Sequence, residues 1–124
     1  MGGQVISVEG IAGHYPGLAL PLLGDHQGEN AALAIAAVES FLHNGTQMLA
    51  REVVEEGVSL ASSPGRLQVV SANPTVVVDA AHNPHGAEAL AGAMMTSFSF
   101  DRLVCVIGIL QEKDVAGIVE ALDP

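Results

Sequence analysis

Residues 76–90 read VVVDAAHNPHGAEAL, and the order of residue types in that stretch decides the fold class. The apolar run over Thr75–Ala80 predicts a strand, because β-branched side chains suit a pleated, buried surface. Asn83-Pro84 then predicts a helix start. Asn is a strong N-cap, and Pro at the first helical position sacrifices no needed N–H. The spacing predicts a helix from Pro84 to about Phe98, with Ala87, Leu90, Ala91, Met94 and Phe98 on one stripe. Beyond it, LVCVIGIL (103–110) is a continuous apolar run, the pattern of a central parallel strand covered on both faces. A last helix is expected from about Asp114, with Val115, Ile118, Val119 and Leu122 at helical spacing. Strand, helix, strand, helix in that order predicts an α/β fold, a parallel sheet with flanking helices. Two parallel strands are too few for such a sheet, so the chain reads as a fragment of a larger fold.

Working back toward the N-terminus, residues 4–23 read as a β-hairpin-like segment. QVISV alternates apolar and polar, and LALPLL is short, apolar and interrupted by Pro21. A helix follows, with Ala31, Ala34, Ile35, Val38, Phe41 and Leu42 on one stripe. Ala32, Leu33, Ala36 and Ala37 make its other side apolar, which predicts burial on more than one face. His43-Asn44-Gly45 is its stop signal. A second helix is expected over Gln47–Glu56, with an Arg51/Glu55 pair at i,i+4, Gly57 as its end, and Leu49 and Val53 facing inward. ASSPG (61–65) reads as a linker. Arg66–Val70 and Thr75–Ala80 read as strands joined by the turn Ala72-Asn73-Pro74. Two domains are expected, residues 1–61 and 62–124.

Composition narrows the function. Hydrophobic residues make up 49% of the 124, enough to build a core, but aromatics are only 3%. The formal charge is −10, with four Lys and Arg against fourteen Asp and Glu, which excludes a basic nucleic-acid surface. An acidic chain can still bind a nucleotide through backbone amides and one well-placed Arg. The single cysteine, Cys105, lies in the apolar run and reads as a packed core residue in a reducing cytosol. No apolar run approaches the ~20 residues of a bilayer span, and the N-terminus has no signal-peptide pattern. No membrane partner is therefore expected.

Asp79 falls at the C-terminal end of a strand, where open α/β sheets gather ligands. With His82 and His85 it sits between that strand and a helix N-terminus, whose first-turn amides and positive dipole favour anions. Asp79 can hold a ribose hydroxyl, an ammonium group or hydrated Mg²⁺, and His82 can contact a phosphate. The plainer alternative is that Asp79 and Asn83 only cap the helix. A third is a small metallohydrolase using Asp79, His82 and His85, although no fourth ligand is in sight. Arg66, after the Pro-Gly turn of SSPGRLQVV (62–70), is either an anion partner or a surface Arg. Asn30, in HQGEN (26–30), is either a nucleotide-reading amide or a buried, satisfied one. The chain has no GxxxxGK[ST] loop, so it cannot build a P-loop of its own.

Taken together, LPLLGDHQGENAALAIAAVESF (20–41), SSPGRLQVV (62–70), VVVDAAHNPHGAEAL (76–90) and GILQEKD (108–114) closely resemble the folylpolyglutamate synthase/dihydrofolate synthase family of the Mur ligase superfamily. The resemblance runs from about Tyr15 to Pro124. It implies that residues 1–61 end a central ATP-binding domain and that 62–124 begin a Rossmann-like glutamate ligase domain, with ASSPG as hinge. It further implies a cytoplasmic enzyme of folate biosynthesis and one-carbon metabolism that uses ATP and Mg²⁺ to join L-glutamate to dihydropteroate or folate through an acyl phosphate. Asn30, Arg66 and Asp79 match positions that bind ATP, and His82 a position near the γ-phosphate or the incoming glutamate. The P-loop, the Mg²⁺ ligands and most of the folate pocket lie outside these 124 residues. The chain is therefore expected to be inactive alone, with exposed apolar edges that favour self-association. The runner-up reading is a non-catalytic nucleotide-binding or interaction module.

Overall fold

The computed structural model describes residues 2–123, and the chain divides into two compact units, Met1–Pro64 and Gly65–Pro124. In the first unit, β1 (Gln4–Glu9) and β2 (His14–Leu20) form an antiparallel hairpin. Ile6 lies opposite Leu18, the register shifts between Ile6 and Val8, and Val8 then lies opposite Tyr15. Leu18 and Leu20 point inward at the two-residue period of a strand. They join Val8, Tyr15, Ile35, Leu49, Val54 and Val58 in one core. The hairpin-like reading of this segment is borne out.

Helix α1 (Asp25–His43) ends where the sequence signals it. Asn44 adopts the left-handed conformation and its N–H bonds to the Glu39 carbonyl. The expectation about its faces is overturned. Gln27, Ile35 and Glu39 are buried, with Ala31 half-buried between them, a line of i,i+4 steps. Phe41 is 87% exposed, and Leu33, Val38 and Leu42 are exposed as well. A helix that is apolar all round has no polar face to mark its outside. Its rotation is fixed instead by specific contacts, here those of Glu39. Helix α2 spans Arg51–Ser59, later than expected, with Gly57 inside it. It buries Val54 and Val58, while Val53 is exposed. The Leu49 N–H is taken by the Tyr15 hydroxyl at 2.9 Å, a tertiary bond that holds this residue ahead of the helix. The Arg51–Glu55 ion pair forms at 2.6 Å.

In the second unit, β3 (Gln68–Ala72) and β4 (Thr75–Val78) form an antiparallel hairpin, with Gln68 opposite Val78 and Ala72 opposite Thr75. Helices α3 (Pro84–Ser97) and α4 (Val115–Leu122) pack on each other, burying Ala87, Ala93 and Ile118. The α/β class holds, but the parallel arrangement does not: both sheets are antiparallel pairs. Leu103–Leu110 forms no strand, and Val106 is 93% exposed. Cys105, expected in the core, is exposed. A strand is defined by its ladder, and among the described residues nothing pairs with 103–110. No helix among the described residues is long and apolar enough to cross a membrane.

Candidate functional site

The candidate residues of the second unit gather at the open end of the β3–β4 hairpin. Gly65 (φ 71°) and Leu67 (φ 46°) both adopt left-handed conformations, so the chain coils tightly around Arg66. Only Gly does this without a Cβ penalty. Leu67 is held there by burial and by its N–H, which donates to Asp79 Oδ2 at 2.7 Å. The other carboxylate oxygen, Oδ1, accepts the Ala81 N–H at 2.7 Å. Asp79 thus fastens the turn that enters β3 to the loop that leaves β4. The hairpin makes this reachable, since Gln68 and Val78 are direct partners. Arg66 is half-buried and makes no ion pair among the described residues.

His82 follows on the same loop, exposed, with Nδ1 3.1 Å from the Ala80 carbonyl oxygen. A carbonyl only accepts, so Nδ1 carries the hydrogen and the neutral ring presents Nε2 as an acceptor. Asn83 caps α3, its Oδ1 accepting the Gly86 N–H at 2.7 Å, and Pro84 opens the helix. Both capping expectations hold. The same capping reduces the expected anion site. Pro84 has no N–H and the Gly86 N–H is taken, which leaves His85 as the free first-turn donor. The His85 side chain is 96% exposed and stands 4.0 Å from Glu88. Among the described residues no three His, Cys, Asp or Glu side chains group to hold a metal ion, so Asp79, His82 and His85 do not form a metal centre.

Arg66, Asp79 and His82 therefore share one end of the second unit. Asn30 belongs to the first unit, on α1, exposed, with its Nδ2 3.4 Å from the buried Gln27 Oε1.

The sequence reading missed a buried carboxylate that accepts three hydrogen bonds among the described residues. Glu39 is fully buried, and Tyr15 O–H donates to its Oε1 at 2.6 Å. Its Oε2 accepts the N–H groups of Ile11 at 2.5 Å and Ala12 at 3.2 Å. Burial pushes the Glu39 carboxyl up, but the bonds from Tyr15, Ala12, Ile11 and Gly13 outweigh it and hold the group below the usual carboxylate range. Tyr15 is raised, first by burial and then by its bond to Glu39. The available signal was a lone Glu on the Ile35 line of an Ala-rich helix, in a chain with one tyrosine.

Residues 65–124 match the family model of the Mur ligase glutamate ligase domain. These residues belong to the Mur ligase glutamate ligase domain family. It is 47% identical over its whole length to dihydrofolate synthase/folylpolyglutamate synthase of Mycobacterium tuberculosis, covering 26% of that protein. The solved structure of Mycobacterium tuberculosis folylpolyglutamate synthase with ADP and AMPPCP superimposes with a TM-score of 0.94 at 48% identity, covering 100% of this chain and 27% of that one. A folylpolyglutamate synthase complex with AMPPCP and folate superimposes with a TM-score of 0.73 at 34% identity, covering 89% of this chain and 27% of that one. The resemblance read from the four motifs is thereby borne out. The chain spans about a quarter of the length of the relatives it matches.

Proposed function

We propose that this chain is part of a cytoplasmic, ATP-dependent ligase that joins L-glutamate to a dihydropteroate or folate carboxylate. ATP transfers its γ-phosphoryl group to the carboxylate oxygen, giving an acyl phosphate and ADP. The glutamate amine attacks the acyl carbon, the tetrahedral intermediate expels phosphate, and loss of the amine proton leaves an amide. The observation that carries this reading is the whole-chain match to a synthase solved with ADP and AMPPCP. Residues 1–61 are then the end of the central ATP-binding domain and 62–124 the beginning of the glutamate ligase domain.

The local geometry gives each candidate a task. Arg66, a half-buried cation with no ion pair among the described residues, supplies counter-charge to phosphoryl oxygens. Asp79 keeps that turn in place, and its remaining lone pairs accept from a ribose hydroxyl. His82, its Nδ1 tied to Ala80, works through Nε2. Protonated, it donates to a phosphoryl oxygen; neutral, it accepts the proton of the attacking amine. Asn30 contributes an amide to the adenine edge or a phosphate. The Mg²⁺ expected of the reaction does not fit these residues. No three candidate ligands group among those described. Its ligands come from elsewhere in the longer enzyme, and the chain alone turns over no ATP.

The test is a hybrid enzyme in which this chain replaces the matching quarter of the Mycobacterium tuberculosis relative. Arg66→Ala or His82→Ala in that hybrid is expected to lower glutamate-dependent ADP release on the order of 100-fold, the usual effect of removing one charge-stabilising group. Rates equal to the unsubstituted hybrid would overturn the site assignment.

A further inference from the structure

Helix α1 begins without a side-chain cap, because its N-cap is Gly24. Strand β1 supplies a polar hold from outside the helix. Gln4 Nε2 donates to the Gly24 carbonyl oxygen at 2.8 Å and to the Leu22 carbonyl oxygen at 3.1 Å. A primary amide carries two N–H donors on one nitrogen, and Gln4 uses both on the turn that leads into α1. The same Gly24 oxygen accepts the Gln27 N–H at 3.0 Å, a bond of the first turn of the helix. Gln27 is buried, and its Oε1 accepts from Asn30 Nδ2 at 3.4 Å. The turn also lies close on β1, since a Cβ added at Gly28 would stand 3.5 Å from Ile6 Cγ2.

A line of polar contacts therefore runs from Gln4 on the hairpin through Gly24 and Gln27 to Asn30. Helix α1 is apolar on most sides, so packing alone does not fix where its first turn sits. Glu39 holds the far end, and Gln4 holds the end that carries Asn30. We propose that Gln4 is a positioning residue for the nucleotide, acting through Gly24 and Gln27 to keep Asn30 within reach of ATP. This role rests on the proposed assignment of Asn30 to ATP. A shift on the order of 1 Å in a positioned group is enough to weaken what it does. Glutamate at position 4 keeps the side-chain shape but sets carboxylate oxygens against two carbonyl oxygens, so the turn has to move.

Steady-state kinetics of the hybrid enzyme test it. Gln4→Glu is expected to raise KM for ATP about tenfold, the order of one lost hydrogen bond, with kcat and KM for glutamate little changed. A variant that only folded poorly would lower kcat through loss of active enzyme and leave KM for ATP where it was. Gln4→Lys retains N–H donors and is expected to keep KM for ATP close to that of the unsubstituted hybrid. Asn30→Ala should itself raise KM for ATP. Adding Gln4→Glu to Asn30→Ala should raise it little further, because both changes act through one group. An unchanged KM for ATP in Asn30→Ala would overturn the assignment of Asn30 and the role of Gln4 together. A raised KM in Asn30→Ala beside an unchanged one in Gln4→Glu would overturn the role of Gln4 alone. So would fully additive effects of the two changes, or a Gln4→Lys hybrid as impaired as Gln4→Glu.

Discussion

Glu39 is fully buried in the first unit and links three of its segments. Its oxygens satisfy the Ile11 and Ala12 amides, and its partner Tyr15 accepts from Leu49, so one carboxylate ties the β1–β2 loop to α1 and, through Tyr15, to the approach to α2. Glu39→Gln puts an N–H group among donors and is expected to cost about 2–3 kcal/mol, the range for a lost charged hydrogen bond with a buried donor left unpaired. Tyr15 is the only tyrosine and there is no tryptophan, so its fluorescence in a urea titration reports this unit alone. The pH dependence follows from the sign of the shift. Glu39 is lower in the folded state, so its contribution is full above the ordinary carboxylate range of the unfolded chain and fades as pH falls through the lower folded value. Acid titration of the native unit should therefore show a loss of stability that Glu39→Gln lacks. Asp79→Ala leaves the Leu67 and Ala81 amides without their acceptor and is expected to cost the second unit about 1–3 kcal/mol, read by circular dichroism. Residue identity told part of this in advance. Asn83 was legible because a short amide directly before Pro at a helix start has few other uses, whereas Asp79, expected to hold a ligand or cap the helix, accepts instead from the Leu67 and Ala81 amides. Glu39 was not legible, because nothing in a linear sequence shows which loop folds over a helix.

At the scale of elements, ends were easier to read than faces. Asn83 Oδ1 accepts from Gly86, and Asp114 Oδ1 accepts from Gly117, each closing a helix start that the sequence announces. Asn83→Ala should lower the stability of the second unit by about 1 kcal/mol, while Asn83→Asp should be nearly neutral. Chemical denaturation of the two variants side by side checks the difference. The inward line of α1 escaped the reading because Ala, Leu, Val and Phe surround that helix. Periodicity needs contrast, and there is little. Helix α2 slipped for a different reason: a tertiary bond from Tyr15 holds Leu49 ahead of it. The 103–110 run escaped because apolarity and β-branching say that a segment can be a strand, while only a partner makes it one.

At the scale of the molecule, the chain is two compact units and about a quarter of the length of the synthases it resembles. Its acidity, −10 over 124 residues, leaves few cations, and Arg66 is one of four Lys and Arg side chains in all. Three of those four, Arg66, Arg102 and Lys113, lie in the second unit, and Arg66 alone sits on a tightly coiled turn between left-handed residues. The family was legible from four motifs in order, whereas the two backbone bonds to Asp79 that fasten the turn before β3 to the loop after β4 were not, since spacing does not show them. The most direct measurement is mass spectrometry of the folate product formed by the hybrid enzyme, with this chain in place of the relative's matching segment. The expected result is ATP-dependent addition of one or more glutamyl residues, with no product from the chain alone. ATP consumption without glutamyl addition, in a hybrid that is folded, would contradict the ligase assignment.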